Sequence, residues 1–471
     1  MSAPATTEKK YLKWYQKLAY GSGDLASNCS YGLVSSFVLL YLTGTLGLDS
    51  AIIGSLMLAS KVLDGISDVI FGTLIDRTHS KLGKARPWGW LFGQVGVSLC
   101  LFLLFAIPAG STTMQYIYFF IVYTALNAVF YTANGIAYSS LVALITKNNN
   151  ERVQLGSFRF MFAVVTNIFM GFAVTGMVEK FGSGAAGWRT TALIFAIVGL
   201  VVNTISCLAV KELPEEELSG NTREAAEEGK AVAEEKKHGF AETAKILVHN
   251  KYYLMILAIY IVYYIMSNLT TGAGVFCATY YWGDGSLLGQ FSMMKMFPVI
   301  IALAIAPVLI KKTGSMQKVN FWGYAISSVL GIPMIYFAMQ KNLSMFLLFM
   351  FIKGIFAGTL SGSLNALIAE ASGYTTRTTG IHMDGMMYSC SSLGVKVGGG
   401  IGTAAVGWLL KLGGFVGTAT VQSESAIRMI FNLYITFPFV IGIIITVLLA
   451  FLDVEKANKK WDAEHQKEAQ A

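Results

Sequence analysis

Charge is scarce in this chain: Asp, Glu, Lys and Arg together make up 13% of its 471 residues. A soluble globular protein carries about 25%. With 54% hydrophobic residues and a mean hydropathy of +0.57, that deficit excludes a large soluble enzyme and points to a polytopic membrane protein. Cysteine chemistry is missing as well. Cys29, Cys100, Cys207, Cys277 and Cys390 are scattered through apolar stretches without paired spacing, which excludes a disulfide frame or a cysteine metal site. No His/Cys/Asp cluster with metal spacing and no nucleophile–base pair can be assembled, so no enzymatic activity and no cofactor is expected. The loose dinucleotide pattern from Gly21 to Ala26 opens an apolar run with no strand before it and carries little weight. No short hydrophobic region with a cleavage site precedes the first span, which is therefore expected to be retained. The net charge of +8 needs no nucleic acid to explain it, because lysines in one set of loops are what bilayer interfaces select.

What is present is a series of long hydrophobic runs. At about 20 residues per crossing there are twelve, near 17–42, 51–75, 88–108, 115–144, 156–179, 190–210, 252–281, 287–310, 319–339, 344–369, 381–410 and 429–453. The expectation is an all-α membrane protein of twelve transmembrane helices in two pseudo-symmetric six-helix bundles. Residues 1–211 would form the first bundle, 212–250 a cytoplasmic linker of mixed charge, 251–453 the second bundle and 454–471 a tail. Lys and Arg crowd the N-terminus, the loops at 76–86, 145–155 and 311–318, and the tail, whereas the loops at 43–50, 109–114 and 282–286 have none. Both termini are therefore expected in the cytoplasm.

Function is sought in ionisable residues that lie where hydropathy does not welcome them. The second run carries Lys61, Asp64 and Asp68 at spacings of three and four, on one helical stripe. One base against two acids leaves a negative remainder, which predicts a site for a coupling cation, sodium or a proton, at Asp64 and Asp68. Sodium would need hard oxygen donors, and Ser67, Asn127, Thr132 or Asn134 could complete its shell. Asp24 and Asn28 lie one turn apart in the first run, and Asn28 suits either a hydroxyl-rich ligand or an interhelical hydrogen bond. Arg159 and Lys396 lie in opposite halves, where an arginine fork can hold vicinal hydroxyls or a carboxylate and a lysine can neutralise an anion. Lys396 points about 200° away from the stripe Gly394, Gly398 and Gly402, which would let helices approach closely. Lys295 and Lys353 sit about 15 Å deep, at the edge of what a lysine can reach by snorkelling, and are further substrate-binding candidates. The positive surplus favours an anionic substrate.

Three stretches resemble the glycoside–pentoside–hexuronide:cation symporters of the major facilitator superfamily: Lys17 to Asn28, Lys61 to Gly72, and Lys81 to Trp88. Weaker matches lie at Tyr131 to Ile136, around Arg159, and from Tyr388 through Lys396. The resemblance implies the major facilitator fold and import of a sugar or glycoside, with a cation, by a rocking transporter of the bacterial plasma membrane. It implies that the span-two acids bind the cation, that Lys396 lies near both sites, and that Arg159 contacts the sugar. Where melibiose permeases carry carboxylates and a tryptophan, this chain has Asn28, Gly135 and Ser139, so the glucuronide permeases are the better guide to substrate. The loop residues Asp76, Arg77, Lys84 and Arg86 would latch the outward-facing state. The expected partners are the substrate, the coupling cation and the lipid bilayer, with the monomer as the working unit. The rival readings are an exporter or exchanger of amphipathic solutes, which calls for an apolar cavity, and a non-transporting membrane sensor, which would bring an appended soluble domain.

Overall fold

The computed structural model describes residues 9–214, 246–380, 384–419 and 421–468. Every regular element among the described residues is helical, and each of the twelve expected runs falls on a helix. They are α1 (Trp14–Thr45), α2 (Ser50–Asp76), α3 (Trp88–Leu104), α4 (Thr112–Ile145), α5 (Asn149–Lys180) and α6 (Gly184–Ala209), then α7 (Lys251–Trp282), α8 (Leu287–Thr313), α9 (Met316–Met339), α10 (Leu343–Thr379), α11 (Asp384–Leu412) and α12 (residues 424–451). A thirteenth helix, α13 (Val454–Glu468), follows. Ten of the described helices are long and apolar enough to cross a membrane, the last of them counted from Glu424 to His465. Of the other two, α3 is apolar but shorter, and α2 is long enough at 27 residues but carries Lys61, Asp64, Asp68 and Asp76. Most of the expected linker lies outside the described residues.

Helix ends follow the polar residues at the edges of the apolar runs. Asp49, Ser111, Asn148, Asn250, Ser315 and Asn342 each accept a hydrogen bond from a backbone N–H in the first turn of the helix that follows. Gly380, at φ +71°, ends α10 in the left-handed conformation that a side chain would oppose. α5 starts seven residues earlier and α10 ends ten later than hydropathy predicts. The extensions are polar helical turns, and hydropathy measures the apolar stretch rather than the helix that contains it.

The chain forms two compact units. Unit 1 holds the described residues up to 214 with Ala278–Gly289 and Gly407–Ile427, and unit 2 holds residues 246–277, Gln290–Val406 and 428–468. Each unit carries the same anchoring device. In unit 1 the Glu212 carboxylate, just after α6, accepts from the backbone N–H groups of Lys84 (2.7 Å), Ala85 (3.0 Å) and Arg86 (3.1 Å) at the approach to α3. In unit 2 the Glu455 carboxylate, just after α12, accepts from Ser315 Oγ (2.5 Å) and from the N–H groups of Met316 (2.8 Å) and Gln317 (3.0 Å) at the start of α9. A carboxylate at a helix N-terminus satisfies orphan donors and complements the helix dipole. The same element pairing, sixth to third and twelfth to ninth, is a structural repeat. Glu212→Ala is expected to lower stability by about 2 kcal/mol, because hydrogen bonds to a charged acceptor are lost together. A thermal melt of the detergent-purified protein, with Glu212→Gln as an intermediate case, checks this.

In unit 2 the glycine stripe packs α11 on α7. A Cβ at Gly398 would run into the Ile261 carbonyl oxygen, and one at Gly402 would lie 2.6 Å from that of Ile265. In unit 1 the segment 407–411 packs on the start of α2: Ser50 Oγ donates to the Gly407 carbonyl (2.9 Å), Trp408 Nε1 donates to Ser55 Oγ (2.9 Å), and Lys411 Nζ lies 2.6 Å from Asp49 Oδ2. Partial burial of Asp49 works to raise its pKa, but Lys411 and the Ala51 and Ile52 amides outweigh it and hold the carboxyl below its ordinary 3.8. A depressed folded-state pKa contributes stability above the unfolded value and loses it as pH falls through the folded one. Asp49→Asn, which keeps a capping oxygen and drops the charge, is expected to lower stability only slightly because Lys411 is well exposed and solvent screens the pair. Melts across acidic pH should show the wild-type advantage closing as Asp49 protonates.

Candidate transport sites

Asp64 is the centre of a small oxygen cluster between α2 and α4. Within α4, a π-helical stretch, Ala125–Tyr131, breaks the regular hydrogen-bond ladder just before Thr132. Thr132 Oγ1 lies 2.7 Å from Asp64 Oδ1 and 2.9 Å from the Asn127 carbonyl oxygen. A hydroxyl has one proton, so it donates to only one of these two acceptors at a time. Three hard oxygens, a carboxylate, a hydroxyl and a main-chain carbonyl, therefore converge. On the other side, Lys61 Nζ donates to Asp64 Oδ2 at 3.4 Å, and both side chains are largely buried. Asp68 is half-buried one turn further along α2.

Of the oxygen donors expected around the span-two acids, Thr132 reaches Asp64 by its side chain. Ser67 Oγ donates to the Asp64 main-chain carbonyl (2.9 Å), Asn134 Nδ2 to the Gly89 carbonyl (2.6 Å), and Asn127 Nδ2 to the Tyr123 carbonyl (2.9 Å). Asn127 meets the cluster through its backbone instead. Among the described residues no group of three or more His, Cys, Asp or Glu side chains could hold a metal ion, so a sodium shell here would draw on hydroxyl and carbonyl oxygens.

A second polar array joins α1 to α5. Asp24 Oδ2 accepts from Arg159 Nε at 2.6 Å, and Asn28 Oδ1 accepts from Asn167 Nδ2 at 2.9 Å. These rungs pair positions i and i+4 of α1 with i and i+8 of α5, which lie along one face of each helix. Close approach is possible because Gly21 and Gly32 have no side chain: a Cβ at Gly21 would lie 2.5 Å from Phe158 Cβ. The Arg159 guanidinium also lies 4.4 Å from the centroid of the Tyr138 ring, which stacks on Tyr20. Asn167 and Tyr138 are site residues that the sequence reading passed over. Asn167 was visible as a polar residue two turns after Arg159, whereas Tyr138 looks like any aromatic of an apolar span.

The remaining candidates are dispersed. Lys396 lies in unit 2, half-buried on α11 beside the buried Gly394 and Gly398. Lys295 and Lys353 line a cavity among α7, α8, α9, α10 and α12 of unit 2. At the end of α2, Asp76 and the C-cap Arg77 are exposed. Arg86 is buried and donates through Nε to the Cys207 carbonyl (2.9 Å), and the backbone of Lys84 is held by Glu212.

The sequence matches the model of the MFS/sugar transport protein family over residues 19–456. The chain belongs to that family. Like the other members it is a multi-pass membrane transporter and not an enzyme. It is 26% identical over 479 residues to the isoprimeverose transporter of Lactiplantibacillus pentosus, covering 100% of this chain and 96% of that one. It is 24% identical over 409 residues to the glucuronide carrier protein homolog of Escherichia coli K12, covering 86% and 85%. The resemblance to glycoside–pentoside–hexuronide symporters read from the motifs is borne out. The nucleoside transporter NupG shares the fold, with a TM-score of 0.63 at 12% identity over 92% of this chain and 99% of that one.

Proposed function

We propose that this member of the sugar transport family imports a glycoside, preferentially one bearing a carboxylate, by symport with a monovalent cation, sodium in preference to a proton. The observation that carries the reading is the convergence of Asp64 Oδ1, Thr132 Oγ1 and the Asn127 carbonyl, oxygens suited to a hard cation, inside a protein whose relatives carry sugars. Asp68, one turn away, supplies a second carboxylate to the same region of α2, and Lys396 is the further candidate on α11. The glycoside would be recognised by the α1–α5 array: Arg159 forks onto a carboxylate or vicinal hydroxyls, Asp24 holds the fork in place, and Asn28 with Asn167 exchanges hydrogen bonds with hydroxyls. The names of two relatives, an isoprimeverose transporter and a glucuronide carrier homolog, support a glycoside as substrate, and the second also supports its carboxylate. Coupling follows from linkage, since a cation that stabilises the substrate-binding form is itself bound more tightly when substrate is present. Asp76, Arg77, Lys84 and Arg86 would serve the gating of the cytoplasmic face. The working location is the bacterial plasma membrane with both termini in the cytoplasm.

The test is uptake of a radiolabelled glucuronide and a neutral glycoside into proteoliposomes under an imposed sodium or proton gradient. Accumulation against the substrate gradient, driven by sodium, is the expected result. Accumulation driven by protons alone would replace the ion, and equilibration without accumulation would remove symport from the reading.

A further inference from the structure

Unit 2 has a cavity to which the symport proposed above gives no role. A cavity of about 180 Å³ lies among α7, α8, α9, α10 and α12, and two of its lining residues are lysines, Lys295 and Lys353. Lys295 is eight residues into α8 and Lys353 ten into α10, so both stand roughly 12–15 Å from the helix starts at 1.5 Å per residue. Close packing holds the two helices together at this level: a Cβ at Gly354 would lie 2.8 Å from the Pro298 side chain, and one at Gly358 would lie 2.7 Å from Ala302 Cβ.

Two ammonium groups at this depth require compensation, because an uncompensated charge in a membrane interior costs several kcal/mol. The helices do not provide it. No Asp or Glu occurs in α7, α8 or α9, or in α10 before Glu370, and none lines the cavity among the described residues. Lys295 Nζ donates instead to two neutral hydroxyls, Thr270 Oγ1 (3.2 Å) and Thr271 Oγ1 (3.3 Å). The rest of the lining combines hydroxyl groups, among them Ser267 and Ser327, with apolar surface such as Met294 and Phe439. A pocket with two cations, several O–H donors and no carboxylate is complementary to an anion.

We propose that this cavity is a binding site for a small monovalent inorganic anion of the chloride type, held between Lys295 and Lys353. The anion neutralises charge that the protein leaves unbalanced, and the apolar part of the lining selects for weak hydration. Sulfate or phosphate would fit the volume, but stripping their more tightly held water into a half-apolar pocket costs more than the same lysines return. The inference concerns unit 2 alone and does not depend on which sugar or which cation the protein carries.

Equilibrium binding of radiolabelled chloride to the purified full-length protein tests it, in gluconate buffer at constant ionic strength. Wild type is expected to bind chloride saturably, with bromide and nitrate competing and sulfate not. Lys295→Met and Lys353→Met are expected to weaken binding roughly ten-fold or more, while Lys353→Arg retains it. Absence of saturable binding in wild type, or unchanged binding in both methionine variants, would overturn the site. Equal competition by sulfate would overturn its monovalent selectivity. Should the methionine variants fail to fold, anomalous scattering from wild-type crystals soaked in bromide decides: a peak in this cavity supports the site, and none there refutes it. Because the readout is chloride rather than sugar, failure here leaves the uptake result intact, and failure of symport leaves this one intact.

Discussion

Asp64→Asn is expected to abolish gradient-driven accumulation, leaving only equilibration of substrate across the membrane. The carboxamide keeps an oxygen near Thr132 Oγ1 but removes the negative charge on which a cation would depend. It also strands Lys61, whose ammonium donates to Asp64 Oδ2 in a largely buried setting. Removing one partner of a buried ion pair costs about 3–5 kcal/mol, so the single variant alone would mix a folding effect with a coupling effect. The double variant Lys61→Gln with Asp64→Asn separates them. Folded yield should fall in the single variant and recover in the double, while accumulation stays lost in both. A double variant that accumulates substrate as well as wild type would show that Asp64 is only the structural counter-ion of Lys61.

The second large effect is expected at the α1–α5 array. Arg159→Lys keeps the positive charge beside Asp24 but loses the planar fork, and substrate affinity should fall about 10–100-fold with little change in stability. Arg159→Met leaves the Asp24 carboxylate unpaired and should fold poorly, and Arg159→Met with Asp24→Asn should fold again without binding. Substrate protection against thermal unfolding measures both quantities in one experiment. If the refolded double variant were still protected by substrate at wild-type concentrations, the array would be a structural tie between two helices and recognition would lie elsewhere.

The two sites differ in how much of them could be read in advance. The stripe Lys61, Asp64 and Asp68 is visible because a helix has 3.6 residues per turn and charges stand out in an apolar run. Thr132 was one of several polar residues that could have faced it, and it follows directly on the π-helical stretch at Ala125–Tyr131, with its hydroxyl between the Asp64 carboxylate and the Asn127 carbonyl. No local pattern announces that stretch. The Asp24–Arg159 pair joins residues 135 positions apart, and spacing along the chain says nothing of such a meeting. Lys295 and Lys353 were legible as deep charges, yet their common cavity emerges only from the packing of five helices.

The sequence by itself determined that this is an all-helical membrane protein, where the runs lie, and which charges the bilayer must tolerate, because hydropathy and helical periodicity are properties of contiguous residues. Tertiary structure alone decided which of those charges meet. It paired Asp24 with Arg159, set Thr132 against Asp64, placed Glu212 and Glu455 under equivalent helices, and brought two lysines to one cavity that no acid lines among the described residues. The physical reason is range: a helix forms through bonds four residues long, whereas a binding site forms where distant helices pack closely enough for their polar side chains to satisfy one another.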